Sequence, residues 1–112
     1  MAGTIKRTFG PVALTAVMTT NVYNQGSALI YDVIRHIHVV IKTAGAVTFS
    51  LWLGATGGNA AGTELFNGRS VPANSEFDYY CTLKMTSTEF LVGGASAGTS
   101  LTIEAEGEQY AT

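Results

Sequence analysis

Two histidines separated by one residue, His36 and His38, offer the clearest side chains for chemistry in this sequence. Alternate residues of a β-strand point to the same face, so both imidazoles could reach one metal ion. No third ligand stands close to them in the sequence, and a His-x-His pair alone is a weak signal. We therefore interpret both as surface or interface histidines and assign no metal ligand and no cofactor. A contact that depends on pH stays open, because an ordinary histidine titrates at about pH 6.5.

Three glutamates, Glu104, Glu106 and Glu108, also alternate and therefore line one side of the last predicted strand. Paired carboxylates can serve acid–base chemistry or bind calcium. Nothing in the sequence gives them the distinct surroundings that would drive their pKa values apart. We interpret them as a solvated strand face, with a cation-mediated contact to a neighbouring molecule as the alternative.

Aromatic side chains supply a further candidate surface. Trp52, with Tyr23, Tyr79 and Tyr80, could form a platform for sugar rings or an anchor for a partner protein. The parity of Trp52 differs from that of the apolar residues in its strand, which places it outside the core or under a loop. We favour the second position, in which the loop over residues 54–69 covers Trp52.

Motifs for catalysis are missing from the chain. The sequence has no nucleophile elbow, no phosphate loop and no paired-cysteine motif. Its single cysteine, Cys81, excludes an internal disulfide and lies within an apolar alternation, which predicts a buried and inert thiol. We therefore expect that the protein is not an enzyme.

The composition is poor in charge. Charged residues make up 12% of 112 residues, against about 25% in ordinary soluble domains. Such a surface offers little solvation to resist association, so we expect neighbouring molecules to cover part of it. A neutral, Thr-rich β-domain that stays exposed to water is the alternative. The net charge of −2 argues against a nucleic-acid partner, which would need a clustered positive surface.

Charge is also uneven along the chain. Residues 1–42 carry four basic residues and one acid, whereas seven acids and two bases follow, which weakly favours head-to-tail contact between subunits. No targeting segment is visible, and no apolar run approaches the roughly 20 residues of a membrane helix. We expect no membrane partner, and synthesis in a cytoplasm where the protein stays until it is assembled or released.

The elements that carry these side chains are predicted to be strands. Apolar residues nowhere hold helical spacing for long, β-branched residues dominate, and most of the 13 glycines fall between the apolar runs. This pattern indicates an all-β fold, an antiparallel two-sheet β-sandwich of jelly-roll type with about seven to eight strands. Seven strands are predicted at Val12–Val17, Ala28–Ile41, Val47–Gly54, Thr63–Phe66, Glu76–Met85, Glu89–Val92 and Ser100–Glu106.

The long strand and its successor, Val47–Leu53, are interpreted as a strand pair. Alternation places His36 and His38 on the outer face of the long strand. Arg35 is the exception in the buried stripe, and we expect it to lie near an edge or to pair with a carboxylate. The buried stripes are predicted to be Tyr31, Val33, Arg35, Ile37, Val39 and Ile41; Val47, Phe49, Leu51 and Leu53; Phe77, Tyr79, Cys81 and Leu83; and Leu101, Ile103 and Ala105.

The first ten residues form an N-terminal arm in this interpretation, and residues 11–112 form a single domain. Isolated apolar residues precede the break at Gly10-Pro11, and an extended arm could dock Ile5 and Phe9 on a neighbouring subunit. An ordinary first strand and a frayed terminus are the alternatives.

Six short segments stand in a particular order between Leu14 and Tyr110: Thr20-Asn-Val-Tyr23, Ile34-Arg-His-Ile-His-Val-Val40, Ser50-Leu-Trp-Leu-Gly54, Ala61-Gly-Thr-Glu-Leu65, Val71-Pro-Ala-Asn-Ser75 and Phe90-Leu-Val-Gly-Gly-Ala95. In this series the chain resembles small β-sandwich structural proteins in the virions of tailed bacteriophages. The matching residues belong to strands and turns, so the resemblance implies a fold family more directly than a function.

The resemblance implies a capsid decoration (cement) protein of the virion. Its partners would be the major capsid protein and copies of itself, a trimer being one ring that suits the local three-fold points of a capsid. A tail-tip or fibre module that binds host glycans is one alternative, and a head-completion or tail-tube component is another. The candidate interface residues are Ile5, Phe9, His36, His38 and Trp52.

Overall fold

The structure, a computed structural model, describes residues 3–112 and contains eight β-strands in two antiparallel sheets. Within these residues no helix is long and apolar enough to cross a membrane. The predicted all-β sandwich is confirmed. The strands are β1 (Thr4–Ala13), β2 (Asn21–Tyr23), β3 (Ile30–Ile41), β4 (Val47–Gly54), β5 (Glu64–Val71), β6 (Glu76–Met85), β7 (Phe90–Ala95) and β8 (Leu101–Ala111).

The strand order is that of a jelly roll. The first sheet has the order β1-β8-β3-β6 and the second has the order β2-β7-β4-β5. The first strand therefore pairs with the eighth, the second with the seventh, the third with the sixth and the fourth with the fifth. A long double ribbon of these pairs, rolled so that β8 also meets β3 and β7 also meets β4, gives the two layers.

The interpretation of β3 and β4 as a strand pair was wrong, because they lie in different sheets. At the end of β3 the Ile41 amide donates to the Ser75 carbonyl and the Lys42 amide donates to the Ser100 carbonyl. The chain then crosses to the other layer, where Val47 is again buried. Both strands carry an apolar stripe, and stacking the sheets lets the two stripes face each other across the core rather than lie side by side.

A single apolar core fills the space between the sheets. It also takes in Phe9, whose ring stacks on Tyr23 with centroids 5.2 Å apart. Its buried members are Phe9, Leu14, Ile34, Ile37, Val39, Ile41, Val47, Phe49, Leu51, Val71, Met85, Leu91, Ala95, Leu101, Ile103 and Ala105.

A β-bulge in β3 changes which residues face the core. The register of β3 slips between Ile34 and His36 relative to both of its neighbours. Ile34 and Ile37 both lie in the core, whereas Arg35 between them is exposed. Arg35 is thus the exception to the buried stripe that the sequence indicated, and it pairs with the Glu108 carboxylate, but strict alternation through the strand fails at this point. The extra residue of a bulge shifts the period-two alternation by one position.

Gly107 on β8 lies opposite this bulge and makes room for it. A Cβ atom placed on Gly107 would overlap the Val33 carbonyl oxygen and lie 3.0 Å from the Arg35 nitrogen. A side chain at this position would push β3 and β8 apart. The glycine therefore permits the close approach of the two backbones where the alternation changes phase.

The described part of the predicted N-terminal arm takes the form of an ordinary first strand, the alternative given above. Thr4–Ala13 form β1, whose register with β8 runs from Thr4 opposite Gln109 to Ala13 opposite Thr102. Pairing satisfies backbone groups on that side of β8 that would otherwise need water. Met1 and Ala2, the start of the predicted arm, lie outside the described residues.

Candidate functional site

Polar side chains converge on the outer face of the first sheet, across β8, β3 and β6. The register places His38 directly opposite Asp78 of β6. It also places His36 between Tyr80 of β6 and Glu106 of β8. Because all of these side chains leave the same face of one hydrogen-bonded sheet, the strand register fixes their spacing.

His36, His38 and Asp78 form what we term the histidine–aspartate cluster. Asp78 Oδ1 lies 2.8 Å from His36 Nε2 and 2.6 Å from His38 Nδ1. One potential ligand atom from each residue lies within 4.8 Å of the others. The two histidines are half-buried and the aspartate is exposed. Two imidazole nitrogens and a carboxylate oxygen thus point to one place at the surface.

Two further side chains hold the His36 ring. Its Nδ1 atom lies 3.0 Å from Glu106 Oε1, on the side away from Asp78. The Tyr80 ring stacks on it with centroids 4.5 Å apart and an interplanar angle of 6°. A ring held at both nitrogens and on one face has little rotational freedom, so this imidazole is pre-oriented.

The cluster shifts the pKa values of its own members. The hydrogen bond to Glu106 is the largest effect on His36, and it raises the pKa above its ordinary value. Burial opposes this shift, and the hydrogen bond to Asp78 adds to it. The hydrogen bonds from His38 and His36 lower the pKa of Asp78. The carboxylates thus favour the charged imidazole, and the imidazoles favour the charged carboxylate.

The three alternating glutamates lie on the outer face of β8, with Glu106 exposed and Glu104 and Glu108 half-buried, which agrees with the predicted solvated face; each, however, has a different partner. Glu104 lies 3.6 Å from Arg7 on β1, and Glu106 contacts His36. Glu108 lies 3.3 Å from Arg35 and also accepts a hydrogen bond from the Tyr110 hydroxyl. The bond from Tyr110, followed by that from Arg35, lowers the pKa of Glu108.

These ion pairs also change the meaning of the uneven charge along the sequence. The basic residues of β1 and β3 flank the acidic strand β8 on both sides. Charges that are segregated along the chain are therefore mixed in space. The weak expectation of head-to-tail attraction between subunits loses its basis on this face.

A shallow cavity of about 670 Å³ lies beside the cluster. Two exposed large hydrophobic side chains contribute to it, Ile5 at 84% and Tyr80 at 75% exposure. Its lining residues are Ile5, Lys6, Arg7, Arg35, His36, Tyr80, Glu106, Gly107 and Glu108. The cavity therefore combines an aliphatic, an aromatic and several charged groups on one sheet face.

The structure places three of the five candidate interface residues on this face. Ile5, His36 and His38 lie there, whereas Phe9 is in the core at 9% exposure and Trp52 is buried at 8%. Trp52 is not a member of the main core cluster. Neither Phe9 nor Trp52 presents a free surface to a partner in this chain.

Sequence reasoning named Glu106 and Tyr80 only for other roles, did not single out Asp78, and joined none of the three to His36 and His38. Alternation alone already placed Asp78 and Glu106 on outer faces, but it did not show which strands are neighbours. Asp78 is 40 residues from His38, and Glu106 is 70 residues from His36. A jelly-roll pairing of β3 with β6 and β8 would have supplied that signal.

Cys81 does not join the site. It is half-buried, its Sγ donates to the Ile34 carbonyl oxygen across 3.4 Å, and burial raises the pKa of its thiol. A raised pKa keeps a thiol protonated and weakly nucleophilic, whereas the burial of Cys81 is less complete than the sequence predicted.

The arrangement is chemically suited to binding. Two imidazoles and the surrounding carboxylates can hold a cation, and the adjoining cavity offers Tyr80, Arg35 and Ile5 for contact with a protein surface. Comparisons of the chain with protein-family models, with curated proteins and with solved structures gave no match.

Proposed function

We propose that this chain is a structural protein of a tailed-bacteriophage virion, a capsid decoration protein that binds the major capsid protein and stabilises the shell. The role is non-catalytic and is exercised in the virion, after synthesis in the host cytoplasm. The observation that carries it is the exposed patch of Ile5 and Tyr80 around the cavity of the first sheet. The sequence resemblance described above supports the same role.

The composition of the patch favours a protein partner. Tyr80 and Arg35 are of the residue types that dominate binding energy at protein interfaces. The Tyr80 ring is already stacked on His36, and Arg35 contacts Glu108 and Thr82, so both are ordered before binding. Side chains ordered in advance lose less entropy on association.

Low charge supports association with many neighbours. With 12% charged residues and a net charge of −2, the sandwich has little electrostatic repulsion between copies. Each contact with the shell then needs to contribute only a modest binding free energy, because many copies on one particle make the total stabilisation of the shell large.

Edge strands offer a route to self-association. Four of the described strands have a partner on one side only: β1 and β6 in the first sheet, and β2 and β5 in the second. Such an edge can pair with a second copy, and head-to-tail pairing around an axis closes a ring such as a trimer. β1 carries the exposed Ile5 and Val12.

The proposal is tested with particles of the phage that encodes the chain. Quantitative mass spectrometry should find hundreds of copies per particle, and heads lacking the protein should burst more readily on heating or osmotic shock. Adding purified protein should restore both measures. Absence from purified virions would overturn the proposal, and a handful of copies would point to a tail or head-completion component instead.

A matched pair of variants tests the patch itself. Ile5→Ser combined with Tyr80→Ser should weaken binding to deficient heads at least tenfold. Val17→Ser should bind normally, because Val17 is 59% exposed but lies in the segment between β1 and β2. Equal binding by both variants would exclude this patch as the contact.

The glycan-binding alternative is less favoured by the geometry. Its main aromatic residue, Trp52, is buried, which leaves Tyr80 as the most exposed aromatic side chain among the described residues. Binding on a glycan array that is lost with Tyr80→Ala would support it over a decoration role.

A further inference from the structure

We propose that His36, His38 and Asp78 form a binding site for a divalent transition-metal ion of the zinc class. The inference does not depend on the role in the virion. It rests on three ligand atoms from two neighbouring strands that lie within 4.8 Å of one another. These are His36 Nε2, His38 Nδ1 and Asp78 Oδ1.

The donor set selects the class of ion. Imidazole nitrogen suits zinc and neighbouring first-row metals, whereas calcium and magnesium prefer sites made of oxygen. Three protein ligands on an exposed face leave at least one coordination position open for water or for a group from a bound molecule. The site is therefore a labile surface site with an open position, unlike a closed structural zinc centre.

Glu106 supplies the support that metal-binding histidines commonly have. It contacts His36 Nδ1, the nitrogen that does not point at Asp78. When Nδ1 donates its proton to this carboxylate, Nε2 is left with a lone pair directed at the cluster. A carboxylate–histidine–metal arrangement of this kind fixes the tautomer and the ring orientation.

Only a small opening of the cluster is needed to admit the ion. Ligand distances of about 2.0–2.2 Å in a tetrahedral site put neighbouring ligand atoms roughly 3.3 Å apart. Asp78 Oδ1 now lies 2.8 and 2.6 Å from the two imidazole nitrogens, and the three atoms lie within 4.8 Å of one another. The ion would replace the two hydrogen bonds with coordination bonds. Asp78 lies on the edge strand β6 and is exposed, so its carboxylate can rotate outward by this amount.

The sheet holds the ligands in place before the ion arrives. His38 and Asp78 are direct cross-strand partners, and His36 is held by Tyr80 on one neighbouring strand and Glu106 on the other. A bound ion would therefore link side chains of β3 and β6, in addition to the backbone hydrogen bonds between the two strands.

Zinc binding to tag-free, chelator-treated protein at pH 7.5 tests the proposal. Isothermal titration calorimetry should give one Zn²⁺ per chain, and Co²⁺ should develop the visible absorption of a site with imidazole ligands. Zn²⁺ should also raise the melting temperature. His38→Gln and Asp78→Asn should each weaken Zn²⁺ binding at least tenfold, and Glu106→Gln should weaken it by about 10–100-fold.

Glu76→Gln is the matched control. Glu76 is an exposed carboxylate two residues from Asp78 on the same strand, and it lies outside the cluster. This variant should bind Zn²⁺ as the parent protein does. Circular dichroism and the melting temperature without metal should show that each variant is folded. The proposal is overturned if the parent protein binds no Zn²⁺ at millimolar concentration, or if His38→Gln and Asp78→Asn bind it as tightly as Glu76→Gln.

Discussion

The Tyr23 hydroxyl donates a hydrogen bond of 2.5 Å to Asp32 Oδ2 and so joins the two sheets at one end of the sandwich. Asp32 is 1% exposed, and its other oxygen accepts a 3.1 Å bond from Gln109 Nε2. A buried carboxyl group is thus satisfied by one donor from each sheet, which makes the phenol–carboxyl bond a polar connection through a mostly apolar interior.

Removing the hydroxyl should destabilise the protein. Tyr23→Phe keeps the ring that stacks on Phe9 but leaves Asp32 Oδ2 without this donor. We expect a loss of about 1–3 kcal/mol in the free energy of unfolding, measured by urea denaturation at pH 7. Tyr31→Phe is the control, since it also removes one phenol hydroxyl from a half-buried ring, and it should cost less than about 0.5 kcal/mol. Equal losses in the two variants would contradict this account.

The same bond should make stability depend on pH in the alkaline range. Burial, and then the hydrogen bond to Asp32, raises the pKa of Tyr23 above its ordinary value of about 10. Above that value the folded chain retains a proton that the unfolded chain has released. The contribution of Tyr23 is therefore complete below about pH 10 and declines as the pH rises toward the folded-state pKa.

The measurement is the difference in free energy of unfolding between the parent protein and Tyr23→Phe. It should be constant from about pH 7 to pH 9 and shrink above about pH 10, because the other tyrosines contribute equally to both chains. A difference that grows above about pH 10 would show that the sign is wrong.

Gly107→Ala tests the close approach at the bulge. The added methyl group would overlap the Val33 carbonyl oxygen, so we expect a loss of about 1–3 kcal/mol or more. Gly45→Ala is the matched control, because no atom lies within 4 Å of a Cβ placed there. Thermal or urea unfolding of both variants measures the difference. A neutral Gly107→Ala would mean that β3 and β8 do not approach closely at this point.

The phase change in β3 can be tested with two neighbouring residues. Ile34→Ala should destabilise the protein by about 2–5 kcal/mol, since Ile34 is fully buried in the core. Arg35→Ala should cost about 1 kcal/mol or less, since its ion pair with Glu108 is at the surface. Strict alternation from Tyr31 predicts the opposite order of the two effects. The order measured by denaturation therefore decides where the bulge lies.

Fluorescence tests the burial of Trp52. The chain has one tryptophan, so its emission reports on this residue alone. At 8% exposure the indole should emit at shorter wavelength than free tryptophan and should be weakly quenched by acrylamide. Unfolding in urea should shift the emission to longer wavelength. Native emission that matches that of the unfolded chain would place Trp52 at the surface and restore it as an interface residue.

Period-two alternation was sufficient to predict the fold class and most of the buried stripes. The pattern in β4 and β8, such as Phe49 with Leu51 and Leu101 with Ile103, is determined locally by which side chains prefer the core. It could not reveal the bulge at Arg35, because the signal for the bulge is Gly107 on a distant strand. A local pattern cannot report a clash that only the paired backbone creates.

The strand neighbours were likewise beyond local reasoning. β3 and β4 look like a hairpin because they follow each other, but burial of both apolar stripes is better served in opposite sheets. β1 was interpreted as an arm because Gly10-Pro11 interrupts its pattern, yet pairing with β8 outweighs its weak local preference. The histidine–aspartate cluster follows from the same long-range register, which explains why its third ligand was missed.

The position of β8 between β1 and β3 has a consequence for biosynthesis. Residues 101–111 follow both of these partners in the chain, so the first sheet cannot assemble until the ribosome has translated them. Until then β1 and β3 have exposed hydrogen-bonding edges that another nascent chain could occupy. A fold dominated by such distant pairings forms slowly, and this interval is when aggregation or a chaperone would compete for the polypeptide.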